Sequence, residues 1–141
     1  MSGSKQKVQS LIGALQDEDS NVRSNATLAL GEMGKDAVPA LSQALQDQDA
    51  RVRKGVAIAL GQIGKDAVPA LIQALQNGHN ARVRRRAAMA LGDIRSEDAV
   101  PVLVQALQDE NLGVCRSSER ALRKIGTSEA LKAVEEYQSR Q

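Results

Sequence analysis

A motif that returns about every thirty residues constrains this chain more than anything in its composition. Gly34-Lys35-Asp36-Ala37-Val38-Pro39-Ala40-Leu41 recurs as Gly64-Lys65-Asp66-Ala67-Val68-Pro69-Ala70-Leu71, and Asp98-Ala99-Val100-Pro101-Val102-Leu103 follows. A second stretch repeats as Val22-Arg23, Val52-Arg53, Val83-Arg84 and Val114-Cys115. A third repeats as Ala29-Leu30-Gly31, Ala59-Leu60-Gly61, Ala90-Leu91-Gly92 and Ala121-Leu122-Arg123. These define four units, near 5–34, 35–64, 65–95 and 96–126, with a half unit at 127–141. Extra residues in Asn77-Gly78-His79-Asn80 and around Ser96-Glu97 fall between periodic segments, where loops absorb insertions. Units this short cannot bury an apolar face alone and must stack on their neighbours.

Each unit reads as two helices. Ala37, Val38, Leu41, Ala44 and Leu45 share one helical face, and Pro39 fits the first turn behind an Asp36 N-cap. The second helix starts after Asp19, with Val22, Ala26, Ala29, Leu30 and Met33 as its core stripe, and Gly34 and Gly64 stop it and its copy. Neither helix is long enough to be stable alone in water. The expected fold is all-α: an α-solenoid of about four helix pairs, nine helices in all, closed by a C-terminal capping helix in which Tyr137 covers the last apolar area.

Composition enters as exclusion. The 141 residues carry 19 Lys+Arg against 17 Asp+Glu, a formal charge of +2, too balanced to imply a nucleic-acid or membrane partner by itself. One Cys excludes a disulfide framework, and one His with one Cys cannot supply a zinc site from those ligand types. No metal ligand set is expected. No apolar run approaches the roughly 18 residues of a membrane span, and the N-terminus lacks the form of a signal peptide, so the expected setting is cytoplasmic.

The pattern A-V-P-A-L-x-Q-A-L-x-D-x-D-x-x-V-R-x-x-A-x-x-A-L-G-x-I-G resembles the short HEAT-like repeat of the phycobilin-lyase type, over nearly the whole chain. That resemblance implies a single HEAT-like, armadillo-type superhelical domain over residues 1–141. It also implies that second helices line a concave side and that Asp and Arg side chains form a ladder between repeats.

Helical angles divide the second helices into faces. Between the repeats lie Arg23, Arg53 and Arg84 with the small residues Thr27, Ala57, Ala88, Gly31, Gly61 and Gly92. With Asp19 and Asp49 these arginines are the ladder candidates. The fourth unit places Cys115, Glu119 and Arg123 there, with Glu119 and Arg123 at pairing distance. The third face holds Arg51, Lys54 and Ile58, then Arg82, Arg85, Arg86 and Met89, then Arg116, Arg120 and Lys124. From the second unit to the fourth that is eight basic residues against one acid, Asp93. Leu28, Ile58 and Met89 occupy equivalent positions and form an apolar seam. On the first helices, Gln43, Gln73, Gln105, Gln46, Gln76 and Gln108 form an uncharged outer side.

No catalytic constellation is present: His79 sits in the inserted loop, and Cys115 has no identifiable catalytic partner. The leading expectation is a non-catalytic interaction module that binds an acidic protein surface or segment in a basic groove, without a cofactor. Three alternatives stay open. A bilin lyase-like or phycobilisome-associated factor would set bilin propionates on the arginines. A nucleic-acid binder would track phosphates only, because one Tyr offers almost no base stacking. An engineered repeat scaffold is suggested by the near-identical second and third units and the Met1-Ser2-Gly3-Ser4 lead.

Overall fold

A computed structural model describes residues 2–141 as nine α-helices and three 3-10 turns, with no strand among the described residues. The helices are α1 (Ser2–Ala14), α2 (Ser20–Met33), α3 (Val38–Ala44), α4 (Ala50–Ile63), α5 (Val68–Asn77), α6 (Ala81–Ile94), α7 (Val100–Ala106), α8 (Leu112–Ile125) and α9 (Ser128–Ser139). They fall into two compact units, one ending at Ala70 and one starting at Leu71. Met1 lies outside the described residues; Ser2–Ser4, read from sequence as part of a lead, begin α1.

The second helices start as the sequence predicts. The Asp19 carboxylate accepts from the Asn21 N–H and that of Asp49 from the Arg51 N–H, each at 2.8 Å. Asn80, Asn111 and Thr127 cap α6, α8 and α9 in the same way. Gly34 and Gly64 end α2 and α4 at φ 72° and 79°, a conformation L side chains rarely adopt. At the end of α6 Arg95 also has a positive φ, 60°, but its ψ of 40° puts it in the left-handed helical region, whereas Gly34 and Gly64 have ψ −150° and −130°.

The first helices depart from expectation. Asp36 does not cap α3: it lies within the 3-10 turn Gly34–Ala37, and no side chain caps the residue before Val38. The tighter turn has already carried the chain into helical dihedrals, so Asp36 is not in the extended conformation a capping residue needs.

The core follows the repeat. Leu30, Leu60, Leu91 and Leu122 are fully buried, as are Leu41, Leu71 and Leu103. Val22 departs most, 37% exposed where Val52, Val83 and Val114 are buried, and Ala29 and Val38 are half-buried where their equivalents are buried. α4 and α8 each pack against the second helix before them in their unit, α2 and α6, and no described helix does this for α2.

One stretch also exceeds the expected limit on apolar length. Ala50–Asn77 runs for 28 helical residues, with an 18-residue window of mean hydropathy 1.3, long and apolar enough to cross a membrane by length and composition. Of that window 44% is buried within the fold, and Gly64 and its 3-10 turn interrupt the stretch. Its apolar character comes from core-facing residues such as Val52, Val56, Leu60 and Leu71.

Candidate functional site: the exposed faces of the second helices

In the second unit, α6 and α8 run parallel, since their contacts climb together: Arg85 lies near Gly113, Gly92 against Ala121, and Asp93 against Lys124. The approach is close, because a Cβ on Gly92 would lie 2.7 Å from the Ala121 Cα. Gly92 is therefore a packing residue, as expected for the inter-repeat face.

This pair carries most of the basic candidates. Arg82, Arg85 and Met89 are exposed on α6 with Arg86 partly so, and Arg116, Arg120 and Lys124 are exposed on α8. Lys124 donates to the Asp93 carboxylate at 2.6 Å, so the one acid of the face is already engaged. Arg82, Arg85, Arg116 and Arg120 make no hydrogen bond or ion pair among the described residues. Four guanidinium groups without a carboxylate partner repel one another, which an anionic partner would relieve.

In the first unit, α2 and α4 also run parallel, with Thr27 near Gly55 and Gly31 against Gln62. Leu28 and Ile58 are exposed, at 51% and 46%. Lys54 is exposed and forms no ion pair, but Arg51 does: its guanidinium reaches the Asp49 carboxylate at 3.1 Å. That hydrogen bond and the Arg51 N–H hold the Asp49 carboxyl below its usual range and push the Arg51 pKa up. Arg51 is thus half committed to the cap of its own helix, which the helical angles could not show.

The ladder residues divide differently from expectation. Arg23 donates to the backbone carbonyls of Asp17 and Glu18 at 2.7 and 2.9 Å, and Arg53 to those of Asp47 and Gln48 at 2.6 and 2.8 Å. Both clamp the loop before their own helix, while Asp19 and Asp49 serve as caps. Arg84 alone among them reaches a carboxylate in the next repeat, placing Nε and Nη2 at 2.8 and 3.2 Å from the two Asp109 oxygens. Burial pushes the Asp109 carboxyl up, but the bonds from Arg84 and the Asn111 N–H outweigh it and leave the pKa below the ordinary value. Asp109 was not singled out from sequence, although Asp17 and Asp47 open the equivalent loops.

In the fourth repeat the thiol of Cys115 replaces the missing guanidinium, donating to the Asp109 carbonyl at 3.0 Å. Cys115 is buried, and burial first and Cys115 second raise the Tyr137 pKa. Glu119 pairs with Arg123 at 2.8 Å and accepts from Gln138 of α9, so these residues hold the terminal helix. His79 is exposed in its loop, and the described residues contain no group of three or more His, Cys, Asp and Glu that could hold a metal. The six glutamines of the first helices are exposed.

HEAT repeats match twice, over residues 8–85 and 68–140. The chain belongs to the HEAT-repeat family. Among solved structures, human deoxyhypusine hydroxylase is 34% identical over 84% of this HEAT chain, with a TM-score of 0.63; the match spans 43% of the hydroxylase. The CpcE–CpcF complex of phycocyanin lyase from Nostoc sp. PCC7120 is 21% identical, with a TM-score of 0.69, over 96% of this chain and 88% of that one. A designed armadillo repeat protein in complex with the peptide (KR)4 matches at 20% identity and a TM-score of 0.51, over 92% of this chain and 69% of that one. The curated proteins contain no significant match. The last two likenesses establish the shared helical-repeat fold.

Proposed function

We propose that this protein is a non-catalytic interaction module that binds an acidic protein segment or surface through the exposed side of its second helices, and needs no cofactor to do so. The observation that carries this reading is the set Arg82, Arg85, Arg116 and Arg120 on α6 and α8, none in an ion pair among the described residues, beside an acid that Lys124 already holds. A designed armadillo relative binds a basic peptide. On the same kind of scaffold, a face of opposite charge selects an acidic one. With a single Tyr in the chain, a single-stranded nucleic acid would find almost no aromatic surface on which to stack.

Fluorescence anisotropy of labelled oligo-glutamate and labelled duplex DNA, at low and physiological salt, tests the choice. The reading expects oligo-glutamate to bind and to weaken with salt, because exposed charges are screened over about 8 Å at 0.15 M. Tighter binding of DNA than of oligo-glutamate at both salt concentrations would contradict it. The bilin alternative is supported by likeness to the phycocyanin lyase fold. Bilin absorbance that shifts on mixing with the protein would favour that reading instead.

A further inference from the structure

Between α2 and α4 of the first unit lies a cleft of about 240 Å³. Ser20, Ser24, Arg51, Lys54, Gly55 and Ile58 are among its walls, and no acid lines it. Lys54 and the two serine hydroxyls make no hydrogen bond or ion pair among the described residues. The Thr27 hydroxyl, by contrast, is occupied by the Arg23 carbonyl at 3.0 Å. Ile58, 46% exposed, supplies an apolar wall, and Gly55 stands where α6 has Arg86 and α8 has Ser117.

Size narrows the occupant. Pockets for drug-sized ligands span roughly 300–1,000 Å³, above this one. The space suits one side chain. Its open hydrogen-bonding groups are a cation and two hydroxyls that can all donate, and its apolar wall suits a short hydrocarbon stem.

We propose that this cleft is a subsite for a glutamate side chain of the bound segment. The carboxylate meets Lys54 and the serine hydroxyls while the two methylenes lie along Ile58. This inference rests on the acidic-partner reading and adds a preference that charge alone would not give. An aspartate whose carboxylate reaches Lys54 has one methylene fewer against Ile58, a loss of about fourfold per methylene buried.

The test is an NMR titration of the ¹⁵N-labelled chain with oligo-glutamate and with oligo-aspartate of equal length. Oligo-glutamate is expected to move the amide signals of Ser24, Lys54 and Gly55 and to bind severalfold more tightly than oligo-aspartate. Lys54→Met should weaken oligo-glutamate about tenfold, and Ile58→Ser should erase the preference while keeping the charge. Both residues are exposed, so the melting temperature should hold in each variant. Oligo-glutamate that moves only α6 and α8 signals, or a preference that survives both substitutions, overturns the subsite and leaves the acidic-partner reading in place. Failure of the parent to bind either peptide overturns both.

Discussion

The α2–α4 face of the first unit and the α6–α8 face of the second hold the same repeat positions with different chemistry. Leu28 and Ile58 occupy the register that Met89 and Arg120 hold in the second unit. The first face sets Leu28 and Ile58 beside Arg51, paired with Asp49, and Lys54, which forms no ion pair among the described residues; the second gathers Arg82, Arg85, Arg116 and Arg120, unpaired among the described residues, and an acid that is taken. Meanwhile the leucines beneath are buried alike in both units. Where stacking needs a residue the repeat is kept, and a handful of outward positions per helix vary without cost to the fold. The proposed recognition resides in those positions.

The units also differ at their chain-terminal ends, and here the largest effect is expected. Val22 stays exposed in the first unit, whereas α9 packs on α7 and α8 in the second and buries Ala130 and Val134. Deleting residues 127–141 should cost roughly 2–4 kcal/mol, at about 1.5–3 kcal/mol per large buried apolar side chain and less for Ala, and should promote association. Thermal melting with sedimentation checks this. A truncated chain as monomeric and as stable as the parent would erase the contrast between the ends.

Next comes the inter-repeat arginine. Arg84→Ala leaves the partly buried Asp109 without its bidentate partner and should cost about 2–3 kcal/mol, whereas Arg53→Ala, which loses two carbonyl contacts, should cost about 1 kcal/mol. The folded Asp109 pKa is depressed, so its contribution is present above the unfolded value near 3.8 and is lost as pH falls through the lower folded value. The gap between parent and Arg84→Ala should therefore narrow in acid below about pH 4. Denaturant melts at pH 7 and pH 3 measure it, and a gap that widens in acid would contradict the pairing.

A smaller change of opposite sign is expected at Ser118. Its hydroxyl is fully buried with no hydrogen-bond partner among the described residues, at the position Ala26 and Ala87 fill in other repeats. Ser118→Ala should raise stability by roughly 1 kcal/mol, and a fall would mean that the hydroxyl is satisfied. Smallest of all, Arg51→Ala should leave the melting temperature unchanged, since its pair with Asp49 is solvent-exposed.

The fold was legible because the leucines recur at one spacing and the loops carry their caps in plain view. Arg95 escaped because nothing local marks a left-handed residue where the other units have glycine. Asp36 misled because it has the right residue type one residue too early, inside a 3-10 turn. At the candidate site, the angles put seven of the eight basic residues at exposed positions, Arg86 being half-buried, since face membership depends only on period. Pairing was beyond reach: that Arg51 turns back on its own cap, or that Arg84 finds Asp109, depends on side-chain paths across loops. The cleft beside Lys54 was equally hidden, because it depends on how Leu15, Thr27 and Gly55 pack.

The central claim is that the placement of charge on the second helices, and not the charge of the chain, carries binding. It is tested most directly by two variants with the same change in net charge: Arg85→Glu with Arg116→Glu, and Lys35→Glu with Lys132→Glu, all four residues being exposed. Oligo-glutamate affinity would be measured for both at equal salt, with melting curves as the fold control. The account predicts that the first pair lowers affinity by about a hundredfold or more while the second stays within about threefold of the parent, since like charges placed at the contact cost several kcal/mol. Equal losses in the two variants, or no loss in the first, would contradict it.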